Sequence, residues 1–567
     1  MRTFSTRGRA VQFATVSLTS LMTAAHAPHQ LASPSGLVSN SAMLSGALPP
    51  GQDAATALVA GMNVERTLAP SDRHIYTAQL DNGGAIIAEA NQEGIDLVID
   101  VYDPDQQQTT RLDSPNGTQG PEPIKWTALR SGIYGFVVHA ADNDAKPGKY
   151  VINVTQILGA LENAKRLAKD RYPTQALYDL WELALTDPKA VERFISNRKQ
   201  SGPIIETIPG NALEAHVTYV CMGDHDTESA ELVGGPDFMG LEMDRLGQTN
   251  LFFATQIVPN DARFVYAFIL KKVHRAGPKG EVEVTELVRS DDSIMEMPNA
   301  PEQRYIAARD SVPKGKTVQI TIKSALLNEE RKITVYTPAG YDGKTGCNLL
   351  VVFDGVSYGG LPDQAQAEVP APTILDNLIA EKKIGPTVAV LVWSMGKRNR
   401  DLSGSKPFAD FVAGELVPWA RSHYTILSGP KNVVAAGSSL GGYAATHSAF
   451  THPEAIGNVM SQSGSYWISK DWQTVEARFE RRLYPRDTGA MIEAFKISKR
   501  LPIRFYMEVG IYDLGAAMLG SNRELRDGLQ LKGYDVDYHE FAGGHNSVNW
   551  RGSFSDGLIS LLGRKRL

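Results

Sequence analysis

The sequence predicts a multidomain chain that ends in a mainly parallel, doubly covered α/β sheet, preceded by two β-sandwich modules and a helical connector. Three observations point there. The chain has 567 residues, room for roughly three to four domains at about 150 residues each. Runs alternating apolar and polar residues fill the stretch from about 63 to 156 and return from about 214 to 288, whereas 159–200 carries apolar positions three and four apart. After Lys316, near-continuous apolar runs alternate with helical stretches, which is how strands buried on both faces of a sheet read.

Composition narrows the classes of function. Hydrophobic residues make up 42% and charged residues 21%, values of ordinary globular chains that exclude wholesale disorder. The 57 basic and 63 acidic side chains leave a formal charge of -6, so nothing draws the chain as a whole to nucleic acid. Beyond the N-terminal segment no apolar run of about 18 residues predicts a membrane span. Cys221 and Cys347 are too few for a disulfide framework or a cysteine-rich zinc site; a single bridge between them stays open.

The first acidic residue is Asp53. Arg2, Arg7 and Arg9 precede a mildly apolar stretch that ends in Ala25-His26-Ala27, the layout of a secretory signal peptide over 1–27. An organelle transit peptide is the rival reading. Residues 28–51, rich in Ser, Pro, Gly and Ala, read as a flexible linker. Export to the periplasm or beyond is therefore expected.

Residues 52–158 contain alternating runs such as Asp96-Leu-Val-Ile-Asp-Val-Tyr, Gly132-Ile-Tyr-Gly-Phe-Val-Val and Gly148-Lys-Tyr-Val-Ile-Asn-Val, punctuated by Asn82-Gly83 and Pro147-Gly148. They predict an antiparallel β-sandwich. These runs, with Ser131-Gly-Ile-Tyr-Gly-Phe, resemble the bacterial pre-peptidase C-terminal domain, a small sandwich appended to secreted enzymes. Asp96, Asp100 and Asp103 read as turn and strand-face carboxylates in preference to calcium ligands. Over 159–203, Leu161, Ala164, Leu167 and Ala168, then Leu177, Leu180 and Leu183, predict amphipathic helices with those residues inward. Strand-like runs such as Arg263-Phe-Val-Tyr-Ala-Phe-Ile-Leu place an immunoglobulin-like sandwich at 204–300. The α/β domain occupies 301–567, with strands at Lys332–Thr337, Asn348–Phe353, Val388–Trp393, Asn432–Ala436 and Ile503–Val509.

The chemistry is carried by Gly437-Ser438-Ser439-Leu440-Gly441. It follows an apolar strand and precedes a helix, the setting in which a G-x-S-x-G turn presents its central serine, Ser439, as a nucleophile. The turn is so sharp that flanking side chains would collide, hence the glycines. The helix start aims unpaired N–H groups at developing negative charge. Serine needs a base, and in this arrangement acid and histidine follow in that order. His545, in the loop Ala542-Gly-Gly-His-Asn, is favoured over His539, which the alternation of Asp537–Phe541 puts inside a strand. Asp513, just beyond Gly510, is the favoured acid, with Glu508 inside the preceding strand as its competitor. An oxyanion hole is expected from the amide of Leu440 and that of Gly355 or Val356. These groups supply attack, proton transfer and charge stabilisation, so neither cofactor nor metal is predicted.

Ser461-Gln-Ser-Gly-Ser-Tyr-Trp467, Glu508-Val-Gly-Ile-Tyr-Asp513, Asn522-Arg-Glu-Leu525 and Gly543-Gly-His-Asn546 with Trp550-Arg-Gly552 closely resemble enterochelin (ferric enterobactin) esterases, of the esterase D branch of α/β-hydrolases. Asn399-Arg-Asp-Leu402 and Glu415-Leu-Val-Pro-Trp419 fit the same family, and the resemblance spans about 214–567. In the sandwich module, Cys221-Met-Gly-Asp224 stands where that family's tryptophan-containing motif is expected. The resemblance implies hydrolysis of the trilactone esters of a catecholate siderophore, alone or with ferric iron bound. A ferric tris-catecholate is anionic, so Arg398 and Arg400, beside Lys397, are expected at a basic mouth, with Trp467 and Trp550 lining an aromatic pocket. A carbohydrate acyl (acetyl or feruloyl) esterase or a general carboxylesterase keeps the same chemistry with another substrate. A β-sandwich binding protein with a dead hydrolase domain is the non-enzymatic alternative.

Overall fold

The computed structural model describes residues 54–198, 202–276, 282–359, 367–469 and 489–563. The signal-peptide and linker segments predicted over 1–51 lie outside them. Among the described residues no helix is long and apolar enough to cross a membrane. The chain divides into two compact units, with the boundary between Tyr178 and Asp179.

In the first unit, β1 (Thr56–Ala57), β2 (Asn63–Leu68), β3 (Arg73–Leu80), β4 (Ala85–Glu93), β5 (Leu97–Tyr102), β6 (Gln108–Leu112), β7 (Gln119–Thr127), β8 (Gly132–Ala140) and β9 (Gly148–Leu158) form two sheets. One runs β1-β3-β8-β5-β6, the other β2-β9-β4-β7, and every pairing except β1 with β3 is antiparallel. Their inward residues, among them Tyr76, Ile86, Ile99, Phe136 and Ile152, share one core. The expected sandwich is there. Asp100 is held by Arg111 and His139, and Asp103 by Arg130, so two of its acids have arginine partners.

The helical stretch comprises helices at Ala160–Arg171, Gln175–Ala184 and Ala190–Arg198, and the unit boundary falls inside the second of them. The expected inward face of the first is only partly right: Ala168 is buried as expected. Leu161 and Leu167 are 56% and 45% exposed, whereas Asn163 is buried. Its amide donates to Gly83 O (2.9 Å) and Thr127 Oγ1 (3.2 Å), so hydrogen bonding to the sandwich, not apolar burial, sets the helix rotation. In the second helix Leu177 and Leu180 are buried as expected and Leu183 is not.

The second unit holds β10 (Ile204–Ile208), β11 (Asn211–Met222), β12 (Thr227–Gly234), β13 (Asp237–Arg245), β14 (Leu251–Pro259), β15 (Arg263–Ala276), β16 (Val282–Arg289) and β17 (Ser293–Glu296). Where two separate sheets were expected, the ladder is continuous as β10-β11-β14-β13-β12-β15-β16, with β17 on β15. The crossover is β13, which pairs with β12 and then, at Asp244 and Arg245, with β14. The sheet encloses one core around Val217, Tyr219, Leu232, Phe252 and Phe264.

The last sheet contains β18 (Lys316–Ser324), β19 (Glu329–Thr337), β20 (Asn348–Val352), β21 (Thr387–Val392), β22 (Val433–Ser438), β23 (Asn458–Gln462), β24 (Arg504–Gly510) and β25 (Asp535–Phe541), ordered β18-β19-β21-β20-β22-β23-β24-β25. Only β19 runs against the rest. Successive residues of its central strands feed two different cores. Leu349, Val351, Val388 and Val433 face one; Leu350, Val352, Ala389 and Val434 face the other. That alternation is why the strands read as unbroken apolar runs. Cys221 and Cys347 are unbridged.

Candidate active site

The site is assembled where β22, β24 and β25 end. Ser439 follows β22 and precedes the helix Leu440–Thr451 with φ 58° and ψ -121°, a conformation few non-glycine residues adopt. A Cβ on Gly437 would stand 2.6–2.8 Å from the Gly441 backbone, and one on Gly442 would stand 2.6 Å from Ser461 Oγ. At Gly441 it would meet Asp354 Oδ2 and Phe353 Cβ at 3.6 and 3.7 Å, which are ordinary contacts. The tight positions are therefore 437 and 442, not both glycines of the motif. Ser439 Oγ lies 3.4 Å from the hydroxyl of Ser465, whose own amide donates to Ser439 O at 3.1 Å.

His545 lies in the loop after β25, and its Nδ1 is 2.6 Å from Oδ1 of Asp513, in the loop after β24. Asp513 Oδ1 also accepts from Leu514 N at 2.7 Å, and its side chain is fully buried. Of the two candidate acids, Asp513 is the one in contact with His545. The hydrogen bond between Ser439 and His545 is not made in this conformation. Ser439 is bonded to Ser465 instead. His539 points elsewhere, to Asp537 at 2.8 Å.

Glu508 is buried in β24, where Oε1 accepts from Gln462 Nε2 (2.8 Å) and Ser553 Oγ (2.5 Å), and Oε2 is 3.0 Å from Tyr506 Oη. Loss of water pushes its carboxyl up to about 7, with the hydrogen bonds opposing the rise. Gln462 also accepts from Tyr358 Oη (3.1 Å) and donates to Trp550 O (2.9 Å). The network thus ties the short helix Gly355–Gly359 to the helix Ser547–Leu562, the latter directly behind His545.

Gly355 and Val356 open that short helix, and Leu440 opens the helix after Ser439. Amides at helix starts have no partner within the helix, the state an oxyanion donor requires. A Cβ on Gly355 would come within 2.5–2.8 Å of the Leu391 and Val392 backbone, so no larger residue fits. Asp354 just before it has φ 54°, and its carboxylate accepts from Ser394 (2.6 Å) and Arg398 Nε (2.8 Å).

The expected basic mouth is not a set of free cations. Arg398 is engaged by Asp354, and Arg400 by Glu329 (2.7 Å) and Asp401 (2.7 Å). Lys397 also bonds Glu329, and buried Arg331 bonds Glu329 and Asp401. The Arg400 guanidinium, then Lys397, hold the Glu329 carboxyl down at about 2. Trp467 is buried in the sheet's core. Trp550 does reach the site. Its ring stands edge-on to His545 with centroids 4.9 Å apart, and Nε1 donates to Ser463 Oγ at 3.1 Å. Sequence reasoning missed Ser465 and Gln462 as members of the site, and Glu329 with Asp401 as its charge partners. Ser465 and Gln462 had one signal, polar residues clustered directly after an apolar strand.

A nucleophile turn, a carboxylate-held imidazole and helix-start amides around one sheet edge are the equipment of an acyl-transfer enzyme. Residues 324–561 match the family model described as a putative esterase. The chain is similar to the iron(III) enterobactin esterase of Dickeya dadantii (strain 3937), 28% identical over 283 residues that make up 48% of this chain and 61% of the relative. With that of Escherichia coli (strain K12) it shares 27% over 273 residues, 47% of this chain and 62% of the relative. The chain thus spans about three fifths of the length of these curated relatives. The ferric enterobactin esterase structure from Salmonella typhimurium superposes with a TM-score of 0.52 at 20% identity, over 65% of this chain and 98% of that one, and so shares the fold.

Proposed function

We propose that the C-terminal domain is an α/β-hydrolase that cleaves the trilactone esters of catecholate siderophores such as enterobactin, through an acyl-enzyme on Ser439. The observation that carries this is the His545 Nδ1–Asp513 Oδ1 contact of 2.6 Å, at the sheet edge where Ser439 sits on its strained turn. Asp513 fixes the tautomer that leaves His545 Nε2 free to accept a proton. Ser439 Oγ turns from Ser465 toward His545, gives up its proton to Nε2 and attacks the ester carbonyl. The resulting oxyanion accepts from Leu440 N and from the amide of Gly355 or Val356, each such donor contributing about 3 kcal/mol. His545 then protonates the departing alkoxide. A water molecule, deprotonated by the same imidazole, releases the acyl group and regenerates Ser439.

Siderophore esters are preferred to other esters because the relatives matched along this length are enterobactin esterases. Arg398 and Arg400, part-exposed on their ion pairs, supply positive charge for an anionic substrate, and Trp550 supplies an aromatic wall beside His545. Iron is cargo of the substrate in this reading. The basic and then apolar N-terminus supports export, which places the reaction in the periplasm or outside the cell.

The test is incubation with enterobactin, with and without iron, beside feruloyl, acetyl-sugar and short p-nitrophenyl esters, with products read by mass spectrometry. Linear dihydroxybenzoylserine fragments at the highest kcat/KM are expected, abolished by Ser439→Ala with the fold retained. Preference for a feruloyl or acetyl-sugar ester would replace the substrate, and an active Ser439→Ala would remove the mechanism.

A further inference from the structure

We infer that the start of β15 in the β10–β17 module buttresses the site, with Phe264 as a positioning residue for the acid–base pair. This rests on the Ser439–His545–Asp513 reading above. Both main-chain groups of Arg263, the first residue of β15, are given to the C-terminal domain: its N–H donates to Ala542 O (3.0 Å), and its carbonyl accepts from Asn549 Nδ2 (3.0 Å). Arg263 thereby forms a parallel bridge with Gly543, two residues before His545. Room for it exists only because 543 is glycine; a Cβ there would lie 2.2 Å from Asn549 Nδ2 and 2.9 Å from Arg263 O.

The next residue, Phe264, is buried in the module's core, and Tyr512 and Ala542 of the C-terminal domain pack against that same core. The Phe264 and Tyr512 rings meet edge to face, with centroids 5.4 Å apart. Tyr512 immediately precedes Asp513, and its amide donates to Gly543 O at 3.2 Å. One side chain of the module therefore supports the neighbour of the acid and packs beside the loop carrying the base. Arg263 is itself fixed, its buried guanidinium bonding Glu296 (2.9 and 3.1 Å) and Pro301 O (2.8 Å). Edge-to-face pairs and packed contacts give up geometry only at a cost, so this wall holds the His545–Asp513 distance when Ser439 leaves Ser465.

The experiment compares Phe264→Ala, Phe264→Leu and Val217→Ala with the wild type on the best ester of the panel, with Ser439→Ala as the check on the nucleophile. Val217 lies in the same core, on β11, 47 positions before Phe264 and in no hydrogen bond or ring contact with Tyr512 or Gly543 among those described. Phe264 is fully buried and cannot touch substrate. Phe264→Ala is expected to lower kcat about tenfold to a hundredfold at nearly constant KM. Phe264→Leu should recover most of kcat, and Val217→Ala should keep it despite a comparable loss of stability. If Phe264→Ala does not fold, Asn549→Asp, which places an acceptor against Arg263 O, is expected to show the same loss of kcat at nearly constant KM. Unchanged kcat in the folded Phe264→Ala or Asn549→Asp protein, a change confined to KM, or an equal kcat loss in Val217→Ala would overturn the inference. An active Ser439→Ala would instead overturn the reading beneath it.

Discussion

Glu508→Gln is the sharpest test of the buried network beneath the site. Burial raises the Glu508 carboxyl from its ordinary 4.5 to about 7. Between those values the folded protein holds a proton that the unfolded chain has released. Stability from this group is therefore greatest below pH 4.5, falls as pH rises to about 7 and is flat beyond. The gap is 7 − 4.5 = 2.5 units, and at 1.36 kcal/mol per unit it amounts to about 3 kcal/mol. Glutamine is neutral throughout. It keeps one oxygen to accept from Gln462 and Ser553, and its amide donates to Tyr506 Oη, as a protonated Glu508 does. The other titratable groups facing the site, Tyr506, Tyr358 and Asp556, are present in both proteins and cancel in the difference. Urea unfolding of both proteins at about pH 5 and about pH 8 should show the variant gaining about 2 kcal/mol on the wild type across that interval. A difference that stays constant, or that moves in favour of the wild type at high pH, would refute a proton held on Glu508.

Gly437→Ala should destabilise by about 2 kcal/mol and cripple hydrolysis, because its Cβ collides with the Gly441 backbone, whereas Gly441→Ala should be nearly neutral in thermal unfolding. Glu329→Gln leaves buried Arg331 with Asp401 alone and should cost about 3 kcal/mol at neutral pH in urea titration. With the Glu329 carboxyl held at about 2, that loss should shrink as pH falls below 4.5 toward 2. In the first unit, Asn163→Ala should cost about 1–3 kcal/mol and Leu161→Ala less than about 0.5, by thermal unfolding, the reverse of what helical periodicity suggests.

The parts of the chain that were legible are those whose local physics is unambiguous. The sheet's central strands read as apolar runs because both faces are covered, and the G-x-S-x-G turn read as an elbow because strand, glycine and helix coincide there. The loops carrying Asp513 and His545 followed from chain order. What stayed hidden depends on partners distant in sequence. β23 is short and includes Asn458, Ser461 and Gln462, all buried, because Asn458 bonds Lys431 O, Tyr466 bonds Ser461, and Gln462 bonds Glu508 and Trp550 O. No window of local sequence contains Lys431, Glu508 or Trp550 beside them. The same holds for Arg400, in the helix Arg398–Leu402, whose Glu329 partner begins β19, and for Asn163, which bonds Gly83 O. Trp467 sits in the core, and an aromatic residue beside an active-site motif has the same composition whether it lines a cleft or fills a core.

The bond from Asn549 to Arg263 joins residues 286 positions apart. A nascent chain emerging from the ribosome completes β15 long before the helix that carries Asn549 exists. The loop bearing the base cannot settle until the helix that carries Asn549 is free. Contacts of such long range form late and slowly. The serine turn is therefore made well before its proton acceptor, and a chain interrupted between residues 439 and 545 carries the one without the other.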